Sequence, residues 1–289
     1  MAIKLVRKFI FIDDDEDYHK TLKRHAKAQG VTLECAKAGN VGLDKLLSSP
    51  RSYAGIILDF NCGKKEGEQP NQTFLNSVLA QLNSIDSLLP RAVLSGNPMA
   101  EEQSNFYGEV KFFRKNGQED DCIEYLKGEA EKLDLERLKD EHADVFKVFE
   151  KGYLGPKSEE RLIACIQERE KSDVTSIEQN LTTFRHLLAD IFTAMAKTKN
   201  GVIDPALLNP DISFAKVLKH LWKTGVFDKF STPDRYGHLI HHIVSSHGAH
   251  EDKNYGAPKP SKYMYQATLF AMLDYLLWFT GWMDENSKK

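Results

Sequence analysis

Four short apolar runs dominate the first third of the chain, and each ends in residues able to do chemistry. Lys8-Phe9-Ile10-Phe11-Ile12 runs into Asp13-Asp14-Asp15-Glu16-Asp17, and Gly55-Ile56-Ile57-Leu58 runs into Asp59-Phe60. Ala92-Val93-Leu94 is followed by Ser95-Gly96, and Val110-Lys111-Phe112-Phe113 by Arg114-Lys115-Asn116. Short runs without alternation predict strands covered on both faces, as in a parallel sheet with helices on either side. In such sheets the functional crevice lies outside the carboxyl ends of the strands. The four runs would therefore deliver an acidic pair, a single aspartate, a hydroxyl and a lysine to one edge. Gathered carboxylates repel one another unless a cation sits among them, and Mg2+ takes oxygen ligands while keeping several waters. A hydroxyl and an ammonium beside them suit the oxygens of a phosphoryl group.

This order of strand-end residues resembles the response-regulator receiver family over residues 1–133. The resemblance implies a flavodoxin-like, doubly wound sheet of five parallel strands. It implies that Asp13, Asp14 and Asp59 hold Mg2+, and that Asp59 accepts a phosphoryl group from a sensor histidine kinase or a phosphotransfer protein. Ser95 matches the family's switch hydroxyl and Lys115 the lysine that contacts the phosphoryl oxygens. Phe113 lies near the place of an aromatic switch. Two features depart from the pattern. Asn116 follows Lys115 where the family has a proline in a cis bond, and a non-proline cis bond is costly. The polar segment Asn61–Gln72 is longer than the usual loop after the phosphoacceptor and lacks its Met-Pro and Asp-Gly punctuation.

Between these strands the sequence predicts helices over 16–29 (stopped by Gly30), 42–47, 73–84, 101–107 and 122–132, with a further strand over Val31–Ala36. The helix at 101–107 has the weakest pattern. From about Leu133 no strand-like run recurs. Residues 134–171 predict a helical connector broken at Gly155-Pro156, and 172–289 an all-helical domain. Its helices are expected from Asp173 or Thr175 to Lys197, over Phe214–Trp222, from Ser231-Thr232-Pro233 to about Ser246, and over 262–282. The last is strongly apolar and is expected to be a central packing helix or part of a dimer face.

With 289 residues, a net charge of −3 and 28% charged residues, the chain has no bulk bias toward nucleic acid or membrane surfaces. Cys35, Cys62, Cys122 and Cys165 form no C-x-x-C pair and suit free thiols in a reducing compartment. Neither a signal peptide nor a membrane-length apolar stretch is visible, so a cytoplasmic location is expected. No helix-turn-helix with a basic surface is evident, so sequence-specific DNA binding is not expected.

Five of the ten histidines fall within 235–250: His238, His241, His242, His247 and His250. Three readings stay open. His238 and His242, four apart on a helix, could chelate zinc with a third ligand from Asp234, His247 or Glu251. Alternatively, a helix ending in His-Gly, a polar loop and a long apolar helix resemble the higher eukaryote and prokaryote nucleotide-binding (HEPN) family over residues 176–285, especially its abortive-infection branch. That resemblance implies RNA as partner and cleavage by an arginine followed four to six residues later by a histidine. No arginine stands at that distance before His247, whereas Arg235 and His241 have the spacing but lie earlier in the helix. In the third reading the histidines are a helix face and a polar turn with structural or readout roles. Together these features predict a response regulator in which phosphorylation of Asp59 controls docking or homodimerisation of a helical output domain. The alternative is a receiver-gated RNA-binding or RNA-cleaving effector.

Overall fold

A computed structural model of the chain describes residues 7–49, 52–71, 73–108, 110–198, 201–208, 214–247 and 259–287. His250 and Glu251 lie outside the described residues. Packing divides the chain into two units, Met1–Arg137 and Leu138–Lys289.

The first unit alternates strand and helix: β1 Arg7–Ile12, α1 Glu16–Ala28, β2 Val31–Ala36, α2 Gly39–Ser48, β3 Gly55–Leu58, α3 Phe74–Ile85, β4 Arg91–Ser95, α4 Pro98–Gln103, β5 Lys111–Arg114 and α5 Glu119–Glu141. All strand pairings are parallel and the order is β2-β1-β3-β4-β5. This is the flavodoxin-like, doubly wound order that the family resemblance implied. Successive side chains of a strand point to opposite faces, so β1 feeds two cores. Phe9 and Phe11 pack with Leu22, Ile57 and Ile123 on the α1/α5 side. Ile10 and Ile12 pack with Leu43, Ile56, Phe74 and Val78 on the α2/α3 side. Each of these fully buried side chains contributes roughly 1.5–3 kcal/mol.

The helix ends follow local chemistry. Asp15 caps α1, its carboxylate accepting from the amides of Asp17 and Tyr18. Gly30 ends that helix with a φ of 71°, a left-handed conformation that a side chain would oppose. α4 is only six residues long and passes into a 3-10 turn over Ser104–Phe106, matching the weak pattern there. α5 outruns its expected 122–132 at both ends and continues through 133 as an unbroken helix.

The second unit contains α6 Ala143–Glu150, α7 Pro156–Gln167, α8 Val174–Ala196, a 3-10 turn Pro205–Leu208, α9 Phe214–Lys223, α10 Thr232–His247 and α11 Lys262–Asn286. No strand occurs among its described residues. One core joins Phe184, Leu188 and Phe192 of α8 to Tyr265, Met272 and Phe279 of α11. Phe184 stacks on Tyr265 with ring centroids 5.6 Å apart. The Tyr265 hydroxyl is satisfied by donating to the Cys165 carbonyl at 2.6 Å. α6 and α7, which fall in the stretch expected as a connector, supply Val145, Phe146, Leu162 and Ile166 to this same core. No helix among the described residues is long and apolar enough to cross a membrane.

Candidate functional site

Backbone bonds at the carboxyl ends of the strands fix the site before any side chain is considered. Asp13 N donates to Ala36 O at 3.0 Å, Asp59 N to Ile12 O at 2.9 Å and Lys115 N to Ser95 O at 3.0 Å. Each functional residue is thus the first residue past its strand and is held by the neighbouring strand. The acidic stretch after β1 divides its labour: Asp13 and Asp14 face the site, Asp15 caps α1, and Glu16 and Asp17 sit in that helix's first turn, where negative charge is favoured.

Asp13, Asp14 and Asp59 each offer a carboxylate oxygen within 4.8 Å of the others. Asp13 and Asp59 are buried, at 1% and 8% exposure, and Asp14 is exposed. Lys115 Nζ lies 2.6 Å from Asp13 Oδ2 and 3.6 Å from Asp59 Oδ1. Apart from that ammonium, neither oxygen has a hydrogen-bond donor. Buried acceptors are nearly always satisfied. Two buried carboxylate oxygens that share one ammonium, next to an exposed carboxylate, fit a hard cation that takes oxygen ligands. Burial pushes the Asp59 carboxyl up to about 6, with the Asp13 charge adding to it, against the opposing pull of Lys115 and the Ser95 hydroxyl. Burial works against the Lys115 ammonium, but the charges of Asp59 and Asp13 outweigh it and leave its pKa raised.

Several supporting residues escaped the sequence reading. Glu119, the first residue of α5, is buried and accepts from the Tyr18 hydroxyl at 2.6 Å, Asn116 N at 2.6 Å and Gly117 N at 2.8 Å. Burial opposes its charge, but these donors hold its carboxyl below the usual range. The Tyr18 ring covers Lys115, 4.7 Å from Nζ to its centroid. His19 Nε2 pairs with Asp13 O at 2.7 Å. In place of a cis proline, Asn116 takes a left-handed φ of 65°, and there is no cis peptide among the described residues. Asparagine is among the residues that tolerate this conformation. The pair Asn116-Gly117 with Glu119 close behind was the readable signal for this turn. The long loop after Asp59 folds back on itself through a bridge between Cys62 and Asn71. Its Gly63 and Lys64 carbonyls accept from the first amides of α2, at 2.9 Å each. Phe113 is buried beside Tyr125 on the α1/α5 side. Phe112 instead gathers with Tyr107 and Phe60.

On the helical unit, Arg235, His241 and His242 line one concavity of about 820 Å³, with Lys219, Trp222, Lys229 and Phe230. Lys229 Nζ lies 4.7 Å from the Trp222 ring centroid and 5.0 Å from that of Phe230. Phe230 is 65% exposed with a φ of 66°, an outlier for a bulky residue. Its amide donates to the buried Asp234 carboxylate at 2.8 Å. His241 is half buried, which lowers its pKa, as do the neighbouring His238 and His242. His247 ends α10 and does not line this concavity. His238 comes within 3.6 Å of Asp234. Among the described residues, however, the one grouping of three metal-ligating side chains is the Asp13-Asp14-Asp59 trio, so the zinc reading finds no third ligand there.

No protein-family model matches the chain, and no curated protein matches it. Solved structures do. A response regulator receiver domain protein from Clostridium thermocellum is 17% identical, with a TM-score of 0.38, and the match covers 45% of this chain and 98% of that one. An adenylate cyclase structure from Rhodopirellula baltica is 22% identical, with a TM-score of 0.37, covering 47% and 96%. The signal receiver domain of an HD domain-containing protein from Pseudomonas fluorescens Pf-5 is 17% identical, with a TM-score of 0.38, covering 48% and 97%.

Proposed function

We propose that the first unit is a phosphoacceptor switch, with Asp59 as the nucleophile, and that its state controls docking or self-association of the helical unit. The observation that carries this reading is the pair of buried oxygens on Asp13 and Asp59 that have no donor but the partly buried Lys115 ammonium at the carboxyl edge of the sheet. A Mg2+ ion held by Asp13, Asp14 and Asp59 would offset carboxylate repulsion and accept an oxygen of the incoming phosphoryl group.

An Asp59 oxygen forms the bond to phosphorus as the phosphorus–nitrogen bond of a donor phosphohistidine breaks. The imidazole leaves with that electron pair and takes up a proton. Lys115, already beside Asp59, neutralises the added oxygens, and the Ser95 hydroxyl donates to one of them. Drawing Ser95 inward pulls on the short α4 that follows it and shifts a pre-existing equilibrium. A sensor histidine kinase or a phosphotransfer protein is the donor this chemistry requires. Acetyl phosphate with Mg2+ tests the reading: the wild type should gain one phosphoryl mass and Asp59→Asn none. A wild type that stays unlabelled while a control receiver is labelled refutes it.

A second reading concerns the helical unit. Exposed Phe230 and partly buried Trp222, interleaved with Lys219, Lys229 and Arg235, suit ring stacking together with phosphate neutralisation, the chemistry of single-stranded RNA binding. Arg235 and His241 are the pair that could serve one phosphate, which keeps cleavage in view. Fluorescence anisotropy with a single-stranded RNA should show binding weakened by Phe230→Ala and Arg235→Ala. No binding by the wild type removes this reading. Equal background decay of total RNA by wild type and His241→Ala removes cleavage alone.

A further inference from the structure

α11 buries most of its circumference, yet one face is left open. Tyr263, Phe270 and Leu277 are 79%, 60% and 36% exposed, seven residues apart. Each is followed four residues on, on the same face, by Ala267, Asp274 and Gly281, all exposed. This is a heptad seam about 27 Å long, with large apolar groups alternating with small or short ones. Gly281 sits inside the helix with a backbone any residue could adopt, and an added Cβ would meet nothing within 4 Å. Glycine there costs roughly 0.5–1 kcal/mol relative to alanine, and nothing in the described chain packs against it to offset that.

We infer that this face is the interface between two copies of the chain, with α11 packed antiparallel on its counterpart about a twofold axis at Met272. Under that symmetry, positions equally far on either side of Met272 meet. Tyr263 falls opposite Gly281, Leu277 opposite Ala267 and Phe270 opposite Asp274. Every large side chain therefore meets a small one, which is how facing layers interdigitate. The same symmetry brings Lys259, just before the helix, to Glu285 near its end, both exposed and of opposite charge. It also sets each helix's positive end beside the other's negative end.

A parallel pair lacks these matches. It would set Tyr263, Phe270 and Leu277 each against its own copy, leave gaps at Ala267 and Gly281, and place two Asp274 carboxylates face to face. Asp274 in the antiparallel pair keeps the partner it already has, the Tyr236 hydroxyl. A seam so closely matched to itself favours a second copy of this chain over an unrelated partner.

The surface does not depend on Asp59, although it supplies the self-association that the proposed function would regulate. Light scattering on the full chain should give a dimer. Phe270→Glu should weaken it at least about thirtyfold while leaving the circular dichroism melt unchanged. Mild oxidation of Ala267→Cys chains mixed with Leu277→Cys chains should yield a crosslinked heterodimer, and Ala267→Cys alone should not crosslink. Asp59→Asn chains should dimerise like the wild type, so loss of labelling and loss of the dimer are separate results. A wild type that stays monomeric at its highest soluble concentration overturns the inference. So does a dimer indifferent to Phe270→Glu, or a crosslink between two Ala267→Cys chains.

Discussion

Asp59 and Asp234 are buried to nearly the same degree, one at a sheet edge in the first unit and one in the helical unit. Their surroundings are opposite. Asp234 accepts from the Phe230 amide and has His238 beside it. Asp59 keeps an oxygen that accepts nothing, pressed toward Asp13 and offset by one lysine. Burial alone thus separates neither a site from a scaffold nor a reactive acid from a structural one. What differs is the company each acid keeps: an amide and an imidazole for Asp234, a second buried carboxylate and an ammonium for Asp59.

The sharpest way to break this contrast is to neutralise each acid. Asp59→Asn should abolish phosphoryl labelling yet raise stability in chelator by on the order of 1–2 kcal/mol at neutral pH. The sign follows from the direction of the shift. The folded carboxyl titrates near 6, above its unfolded value of about 4, so ionisation opposes folding as pH rises through that window. The gain should therefore vanish near pH 4 in paired thermal melts. Asp234→Ala should do the reverse, lowering stability by about 2 kcal/mol by leaving the Phe230 amide unpaired next to a left-handed turn. If both variants shift stability in the same direction, the distinction fails.

Labelling should also depend on pH. As pH falls through about 6 without added Mg2+, Asp59 takes up a proton and loses its nucleophilic form, and the rate should drop about tenfold per unit below that. Added Mg2+ should move the midpoint lower by favouring the carboxylate. A rate independent of pH between 5 and 7 would contradict the burial assigned to this acid. The smallest effect belongs to a third acid, Glu34, which is satisfied and near the surface. It contacts Lys8 at 2.6 Å, Lys45 at 2.7 Å and the Tyr53 hydroxyl at 2.8 Å. These contacts, Lys45 first, hold its carboxyl down near about 2. Their stabilisation is present above its ordinary value and fades as pH falls through that lower one. Solvent screening limits the loss in Glu34→Gln to about 1 kcal/mol or less in denaturant melts at neutral pH.

The sheet was legible because its information is local: runs such as Ile56–Leu58 are too apolar for a one-sided strand, and the residue after each run is positioned by the strand itself. Asp13, Asp59, Ser95 and Lys115 therefore meet where the runs imply. Glu119 and Tyr18 were not legible. Their bond spans most of the first unit's sequence and depends on α1 and α5 lying side by side, which no spacing encodes. The left-handed Asn116 was half visible, since the absent proline was noted but not what replaces it. Between Leu133 and Gln167 helix-forming residues announced helices, but composition does not say which core a helix joins. Likewise, the histidines of α10 could be counted but not sorted, because only the neighbouring α9 and the Phe230 turn decide that His241 and His242 line a concavity and His247 does not.

The brevity of α4 has its own consequence. A six-residue helix followed by a 3-10 turn, with Phe106 85% exposed, has little buried surface resisting its opening. Amide protons over Met99–Phe106 should exchange with solvent faster than those of any neighbouring helix in the unit. The segment that touches Ser95 is thus the one the fold leaves loosest, so a small electrostatic pull there can redistribute conformers while the sheet keeps its register.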